Sequence, residues 1–367
     1  MNLEKKDYNY GVDILKIIAT AMIIIMHILL QGGVIRGTVP GTANYYLSWI
    51  LEGICFGGVN LYALGTGFLN AKKKIKISSF LKRWFQVFFY VAFFTLLFRL
   101  MMPGVVSLKS WVEVFVPILS NQYWYFTQYF VLFLVMPFLN KLMASLNERE
   151  FKKLVCFIIL VFSFIPTIRQ YDIFYTANGY SALWLMAMYL VGGYFAYYKD
   201  NVKISKKSLW MIIFLSNVIG IGSKFLFDTA THVALVNDVQ NMVLLSYTSI
   251  TIVINSIAVL LLCINLQVSK FKKSLRLVGS ITFGIYLVHV NAFIWNFLLR
   301  DLFMFMSPWN PILLVLGILG SFLAIFVVAG LFEYLRIKFF KLIKIDTFSN
   351  WLGLKLSNLS NYILKKL

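Results

Sequence analysis

The chain has 367 residues, of which 60% are hydrophobic, 17% aromatic and 13% charged, and it carries a formal net charge of +20. A soluble domain is about 25% charged, whereas apolar runs of bilayer-spanning length recur along this whole chain, so a conventional water-soluble enzyme is excluded. The excess of 34 Lys and Arg over 14 Asp and Glu fits either nucleic acid or a membrane topology, and position decides between them.

In chain order, ten apolar segments read as spans: 14–31, 47–69, 80–101, 124–140, 151–168, 181–198, 208–227, 243–264, 278–300 and 311–335. They predict an all-α, polytopic transmembrane bundle of about ten spans. The first run is expected to stay as a span, because Glu4, Lys5, Lys6 and Asp7 precede it and no small-residue cleavage site closes it. The stretch 105–119 is short, carries Glu113 and Pro117, and reads as an interfacial or re-entrant piece. Residues 1–335 are expected to form the transmembrane domain and 336–367 a cytoplasmic amphipathic tail, whose alternating Lys and apolar residues suit a helix in the inner interface.

With both termini cytoplasmic, 28 of the 34 cations fall on the inner side and six on the outer: Arg36, Arg99, Lys109, Arg169, Lys224 and Arg300. That asymmetry favours an even number of spans. The cations are spread over every second loop with no aromatic-interleaved patch, so no nucleic-acid partner is expected. Attraction to anionic lipid or to a phosphorylated cytoplasmic molecule is a secondary reading. Cys55, Cys156 and Cys263 lie in three separate apolar segments, which points to packing and to neither a disulfide framework nor a metal site. No connection is long enough to hold a soluble catalytic domain, so any active site must be built from the spans and their loops.

Ionisable groups inside a bilayer are costly and are candidates for function. The first span has Asp13 and Lys16, then ten residues without charge, then His27. Eleven positions are close to three helical turns, so Lys16 and His27 share a face roughly 16 Å apart along the axis, with Asp13 on the same side. Either these groups mark the two interfaces, or they form a polar seam facing the bundle interior with an imidazole able to act as general base. In the ninth span Tyr286 and His289 share a helical face, as a self-satisfied pair or as pocket residues. His232 reads as loop surface. The second span combines Glu52, which either reaches the outer interface or serves a pocket, with a glycine-rich run from Gly57 to Gly67 that reads first as helix packing. Lys82 and Arg83, at the start of the third span, are either topology anchors or phosphate ligands.

Taken together, these motifs resemble the integral-membrane acyltransferase 3 family. Asp13-Ile14-Leu15-Lys16, ten residues and His27 match the family's Asp-x-Leu-Arg and His spacing, with Lys in the Arg position, which loses the planar fork of a guanidinium. Gly58-Val59-Asn60-Leu61-Tyr62 through Thr66-Gly67-Phe68-Leu69 is similar to its Gly-Val-Asp-Leu-Phe-Phe and Ser-Gly-Phe-Leu segment, with Asn60 for Asp and Thr66 for Ser. Phe80 to Arg83, Trp124-Tyr125 with Met136-Pro137-Phe138-Leu139, and Ser280 to His289 resemble further family elements in the family's order. The resemblance covers about residues 10–335.

The resemblance implies a stand-alone membrane O-acyltransferase in the cell membrane. It implies acyl-CoA, most simply acetyl-CoA, as cytoplasmic donor and a hydroxyl of a surface polysaccharide or its lipid-linked precursor as acceptor. His27 is then the general base and Lys16 its companion; Lys82 and Arg83 meet the donor's phosphates. Asp13, Glu52, Asn60, Trp124, Tyr286 and His289 line the pocket, and no metal is expected. A glycan transporter or flippase using the same ionisable seam is the alternative, and the absence of repeated halves speaks against it. The departures at Lys16, Asn60 and Thr66 leave open a degenerate, non-catalytic membrane subunit.

Overall fold

Asn9 starts the first helix and ties it to a distant one. Its Oδ1 accepts from the Gly11 N–H at 3.0 Å, and its Nδ2 donates to the Ile264 carbonyl at 3.0 Å. One side chain thus satisfies an orphan donor at a helix start and an orphan acceptor at a helix end. The computed structural model describes residues 8–231 and 244–364, and all regular structure among them is helical. The helices are α1 (Tyr10–Leu29), α2 (Val34–Gly37), α3 (Ala43–Cys55), α4 (Gly58–Asn70), α5 (Ile77–Met101), α6 (Leu108–Phe115), α7 (Trp124–Ser145), α8 (Glu148–Ile159) and α9 (Ile165–Arg169). They continue with α10 (Ala182–Tyr198), α11 (Lys206–Thr231), α12 (Ile250–Ile264), α13 (Lys272–His289), α14 (Pro311–Leu342) and α15 (Ile345–Leu364).

Each expected span contains helix, with residue 243 outside the described residues, but the described residues contain seven helical stretches long and apolar enough to cross a membrane, not ten. An eighth follows if α13 and Ile294–Met306, bent by 72° at their junction, count as one span. The segments expected at 181–198 and 243–264 are α10 and α12, helices of 17 and 15 residues, short of the roughly 20 residues of a full crossing. The stretch 105–119 contains the short α6, whose Phe115 ring lies 6.0 Å from that of Phe88 on α5.

Helix α1 is central and packs against α3, α4, α12, α13 and α14. It is apolar on nearly all sides for that reason. The glycine-rich run of α4 does the packing work expected of it. Gly67 lies against the Tyr189 carbonyl of α10 and Gly192 of α10 against the Leu64 carbonyl of α4, so a Cβ at either would overlap main chain. Without a hydrophobic drive between helices in lipid, such small-residue contacts supply close van der Waals packing. Outward, α14 exposes Leu316, Leu323, Val327 and Leu335, an apolar surface suited to hydrocarbon. Cys55 and Cys263 are buried and Cys156 is exposed; all three are free thiols, so Cys156 is not a packing residue of the interior.

Helix α14 runs to Leu342, so Arg336, Lys338 and Lys341, expected in the tail, belong to the last turns of the bundle's longest helix. Lys344 turns the chain with φ 55°, and α15 then lies along α5, with Gly353 against Ser78 and Phe348 5.7 Å from Phe85. Phe348, Trp351, Leu354 and Leu359 of α15 stay exposed, and Lys355 covers the Trp351 ring at 4.4 Å.

Candidate active site

The last turns of α1 and α13 bring two imidazoles together. His27 Nδ1 lies 3.0 Å from His289 Nε2, and His289 Nδ1 lies 2.7 Å from the Ile285 carbonyl one turn back on its own helix. A carbonyl only accepts, so His289 Nδ1 carries the hydrogen. With both rings neutral, His289 Nε2 is then an acceptor and His27 Nδ1 the donor. The remaining nitrogen, His27 Nε2, keeps its lone pair and makes no hydrogen bond among the described residues. The tautomer follows from the bonding pattern, since hydrogens are assigned from networks of this kind. Trp295 sets its ring edge-on to His27 at 4.7 Å.

Hydrogen bonds to main-chain carbonyls frame this pair. The bent segment after α13 is stitched to the end of α1 by Asp301 N–H to Gln31 carbonyl at 2.9 Å and Phe303 N–H to Gly32 carbonyl at 2.8 Å. The Gln31 side chain donates to the Trp295 carbonyl at 3.0 Å. At the end of α13, the Tyr123 hydroxyl donates to the Leu287 carbonyl at 3.0 Å and accepts from Asn291 Nδ2 at 3.0 Å. The residues 294–299 form a π-helical turn, an irregularity often found at functional sites.

His27 opens into a cavity of about 1040 Å³ whose wall is rich in aromatic residues, including Tyr62, Trp124, Tyr180, Tyr247 and Tyr286, interleaved with amides such as Asn121, Gln122 and Asn296 and with one cation and one carboxylate, Arg36 and Asp172. It lies at the end of the bundle formed by the C-terminal turns of α1 and α13 and the N-terminal turns of α7 and α12. Trp124 packs on Tyr180 at 4.6 Å. The Tyr286 hydroxyl is buried, and among the described residues no group accepts its hydrogen.

A second cavity, of about 550 Å³, lies at the opposite end, between α5, α14 and α15. It gathers Lys82, Arg83, Arg336 and Lys341, with Ser79 and Gln86. Asp346 of α15 pairs with Lys82 at 2.9 Å, while Arg83 lies over the rings of Tyr129 and Phe283 at 5.8 and 5.5 Å. Arg336 is held by Glu333 of α14 through bonds of 2.9 and 2.5 Å.

A family model for an acyltransferase domain, Acyl_transf_3, matches residues 9–331. The chain belongs to this acyltransferase family. No curated protein and no solved structure matches it.

Against that assignment, the ten candidate residues of this acyltransferase domain separate into four groups. His27, His289, Trp124 and Tyr286 meet at the aromatic cavity, and Lys82 and Arg83 meet at the cationic one. Asp13 and Lys16 form an ion pair of 3.1 Å that lines neither cavity. Asp13 is 1% exposed and faces Gly279, so it does not reach for water. A polar seam nevertheless runs from them: the Lys16 carbonyl accepts from Thr20 at 2.7 Å, and Thr20 meets the Tyr62 hydroxyl at 2.5 Å in the cavity wall. Glu52 is fully buried behind the wall, not at an interface, and its two oxygens have no partner among the described residues.

Asn60 is buried and structural in its bonding. Its Nδ2 donates to the Tyr247 carbonyl at 2.7 Å and its Oδ1 accepts from Trp184 Nε1 at 2.9 Å. An ionised Asp accepts only, so the amide at this position suits these two partners. His232 lies outside the described residues. Among the described residues no group of three or more His, Cys, Asp or Glu is placed to hold a metal ion. The reading of the sequence passed over Tyr123, Asn291, Glu333 and Arg336. Glu333 had a signal, as a carboxylate at the end of a strongly apolar run.

Proposed function

We propose that this domain is a membrane O-acyltransferase that moves an acyl group, acetyl in the first instance, from cytoplasmic acyl-CoA to a hydroxyl of a surface polysaccharide or its lipid-linked precursor. The observation that carries the reading is the His27–His289 pair, because its hydrogen bonds leave an unprotonated imidazole nitrogen in a cavity large enough for a sugar. Aromatic faces with interspersed amides are what a neutral, hydroxyl-rich ligand needs: apolar ring contact and hydrogen bonds without net charge. The four cations of the opposite cavity suit the phosphates of a CoA thioester, which is a substrate here. An inner N-terminus, which the excess of cations on that side favours, puts that cavity on the cytoplasmic side and the His27 cavity, at the far end of α1, on the outer side.

In the reaction, His27 Nε2 takes the proton of the acceptor hydroxyl as its oxygen attacks the thioester carbonyl carbon. The Tyr286 hydroxyl, whose proton has no acceptor among the described residues, donates to the oxyanion that forms. Collapse of the adduct breaks the carbon–sulfur bond, and the proton held on Nε2 passes to the departing sulfur. The products are an ester and free CoA thiol. His289 is a positioning residue, keeping Nε2 in its basic form.

Membranes containing the wild-type chain or His27→Ala, supplied with labelled acetyl-CoA, test the proposal through ester content of the isolated envelope glycan. Label in the wild type and its loss in His27→Ala is the expected result. Equal label in both overturns the role of His27.

A further inference from the structure

One aromatic ring separates Arg83 from the cavity of His27. The Arg83 guanidinium lines the cationic cavity and lies 5.5 Å from the centre of the Phe283 ring, while Phe283 itself lines the His27 cavity. Phe283 is half-buried, stacks on Tyr286 at 6.1 Å and 21°, and lies 6.1 Å from the Phe126 ring. The backbone beside it is pinned. Gly284 lies against the Glu333 carboxyl group with no room for a Cβ, and Glu333 is fixed by Gln86 at 3.0 Å, Tyr90 at 2.8 Å and Arg336 at 2.9 Å. Charge-assisted bonds in a low-dielectric interior make such a network stiff. Helix α13 therefore holds its place here, and the adjustable part is the Phe283 side chain, which turns about two torsions.

We propose that Phe283 is the gate between the two cavities and sets the length of acyl group that passes. The inference rests on the acyl-transfer reading above. A thioester whose phosphates sit at the cationic cavity reaches His27 only if its acyl end passes this ring. Acetyl adds little width to an unbranched arm, whereas each further methylene must fit against Phe283, Phe126 and Tyr286 in an interior packed as densely as an organic crystal. Acetyl is accordingly the preferred group, and the preference resides in a residue that takes no part in the chemistry.

The test offers acetyl-, butyryl- and hexanoyl-CoA in competition to membranes containing the wild-type chain, Phe283→Leu or Phe283→Ala, and measures the esters formed on the glycan. Discrimination in apolar pockets runs at about 10-fold or more per methylene, so Phe283→Ala is expected to relax the acetyl preference by about 10-fold or more. Phe283→Leu gives a smaller change in the same direction and reads the effect if the alanine variant does not fold. Transfer with an unchanged chain-length ratio in both variants overturns the gate. A wild-type chain that forms no ester from any of the three thioesters overturns instead the acyl-transfer reading on which the gate depends.

Discussion

The two cavities are opposites in how they treat charge. At the His27 end, the two imidazoles are bonded to each other and, through His289, to the Ile285 carbonyl, among aromatic rings and with one cation and one carboxylate, Arg36 and Asp172, in the cavity wall, so the proposed reactivity comes from which nitrogen is left without a proton. At the Arg83 end, four cations line one cavity, where Lys82 pairs with Asp346 of α15 and Arg336 with Glu333 of α14, and Lys82 and Asp346 are 38% and 79% exposed in their side chains. Under the proposed function, one end serves chemistry on an uncharged group and the other the capture of an anion. Substitutions at the two ends should therefore separate turnover from donor binding.

The largest separation is expected at His27. Loss of a general base costs about 10²- to 10⁴-fold in rate, so His27→Ala should lower kcat by that order while equilibrium binding of CoA stays at the wild-type value. An intact kcat would merge the two ends again. Next, Arg83→Ala removes a charge-assisted contact worth about 1.5–3 kcal/mol. The KM for acyl-CoA should rise by about tenfold or more, with kcat nearly unchanged; a fall in kcat alone would show that Arg83 acts at the His27 end. Asn60→Asp tests the wall. It loses the donor to the buried Tyr247 carbonyl, which costs about 1–3 kcal/mol, so the melting temperature should drop while the acyl donor's KM does not move. The smallest effect belongs to Asp346→Asn. Exposed ion pairs are worth at most about 1 kcal/mol, and removing this one should tighten donor binding by less than about fivefold in a titration with CoA. Weaker binding would mean that Asp346 supports the donor site.

Hydropathy made the helical bundle legible, because the cost of unpaired main chain in lipid leaves helices as the available structure for these apolar runs. It read poorly where a span is irregular. The α13 segment looks continuous from 278 to 300, yet it bends by 72°, and the bend is held by Gln31 and Gly32 more than 260 positions away. His27 and His289 each stood out as polar residues in apolar helices, but their contact lies across 262 positions, beyond the reach of any spacing argument. Conversely, the i, i+3 spacing of Asp13 and Lys16 correctly put them together, while their shared face with His27 did not bring them to the same cavity. Asn60 and Glu52 show the limit most clearly: both are polar and buried on neighbouring helices, one with its amide bonded at both ends and the other without a partner among the described residues. Composition cannot distinguish the two.

The stitching of Gln31 and Gly32 to Asp301 and Phe303 has a further consequence for how this protein can change. Those bonds run between main-chain atoms, or from Gln31 to the main chain of Trp295, so the spacing of the two imidazoles does not depend on Trp124, Tyr180 or Tyr247. These cavity side chains, which contact the acceptor in the proposed function, can thus be exchanged without moving the two imidazoles. On the proposed function, selectivity for the acceptor and competence for the chemistry are then separable traits.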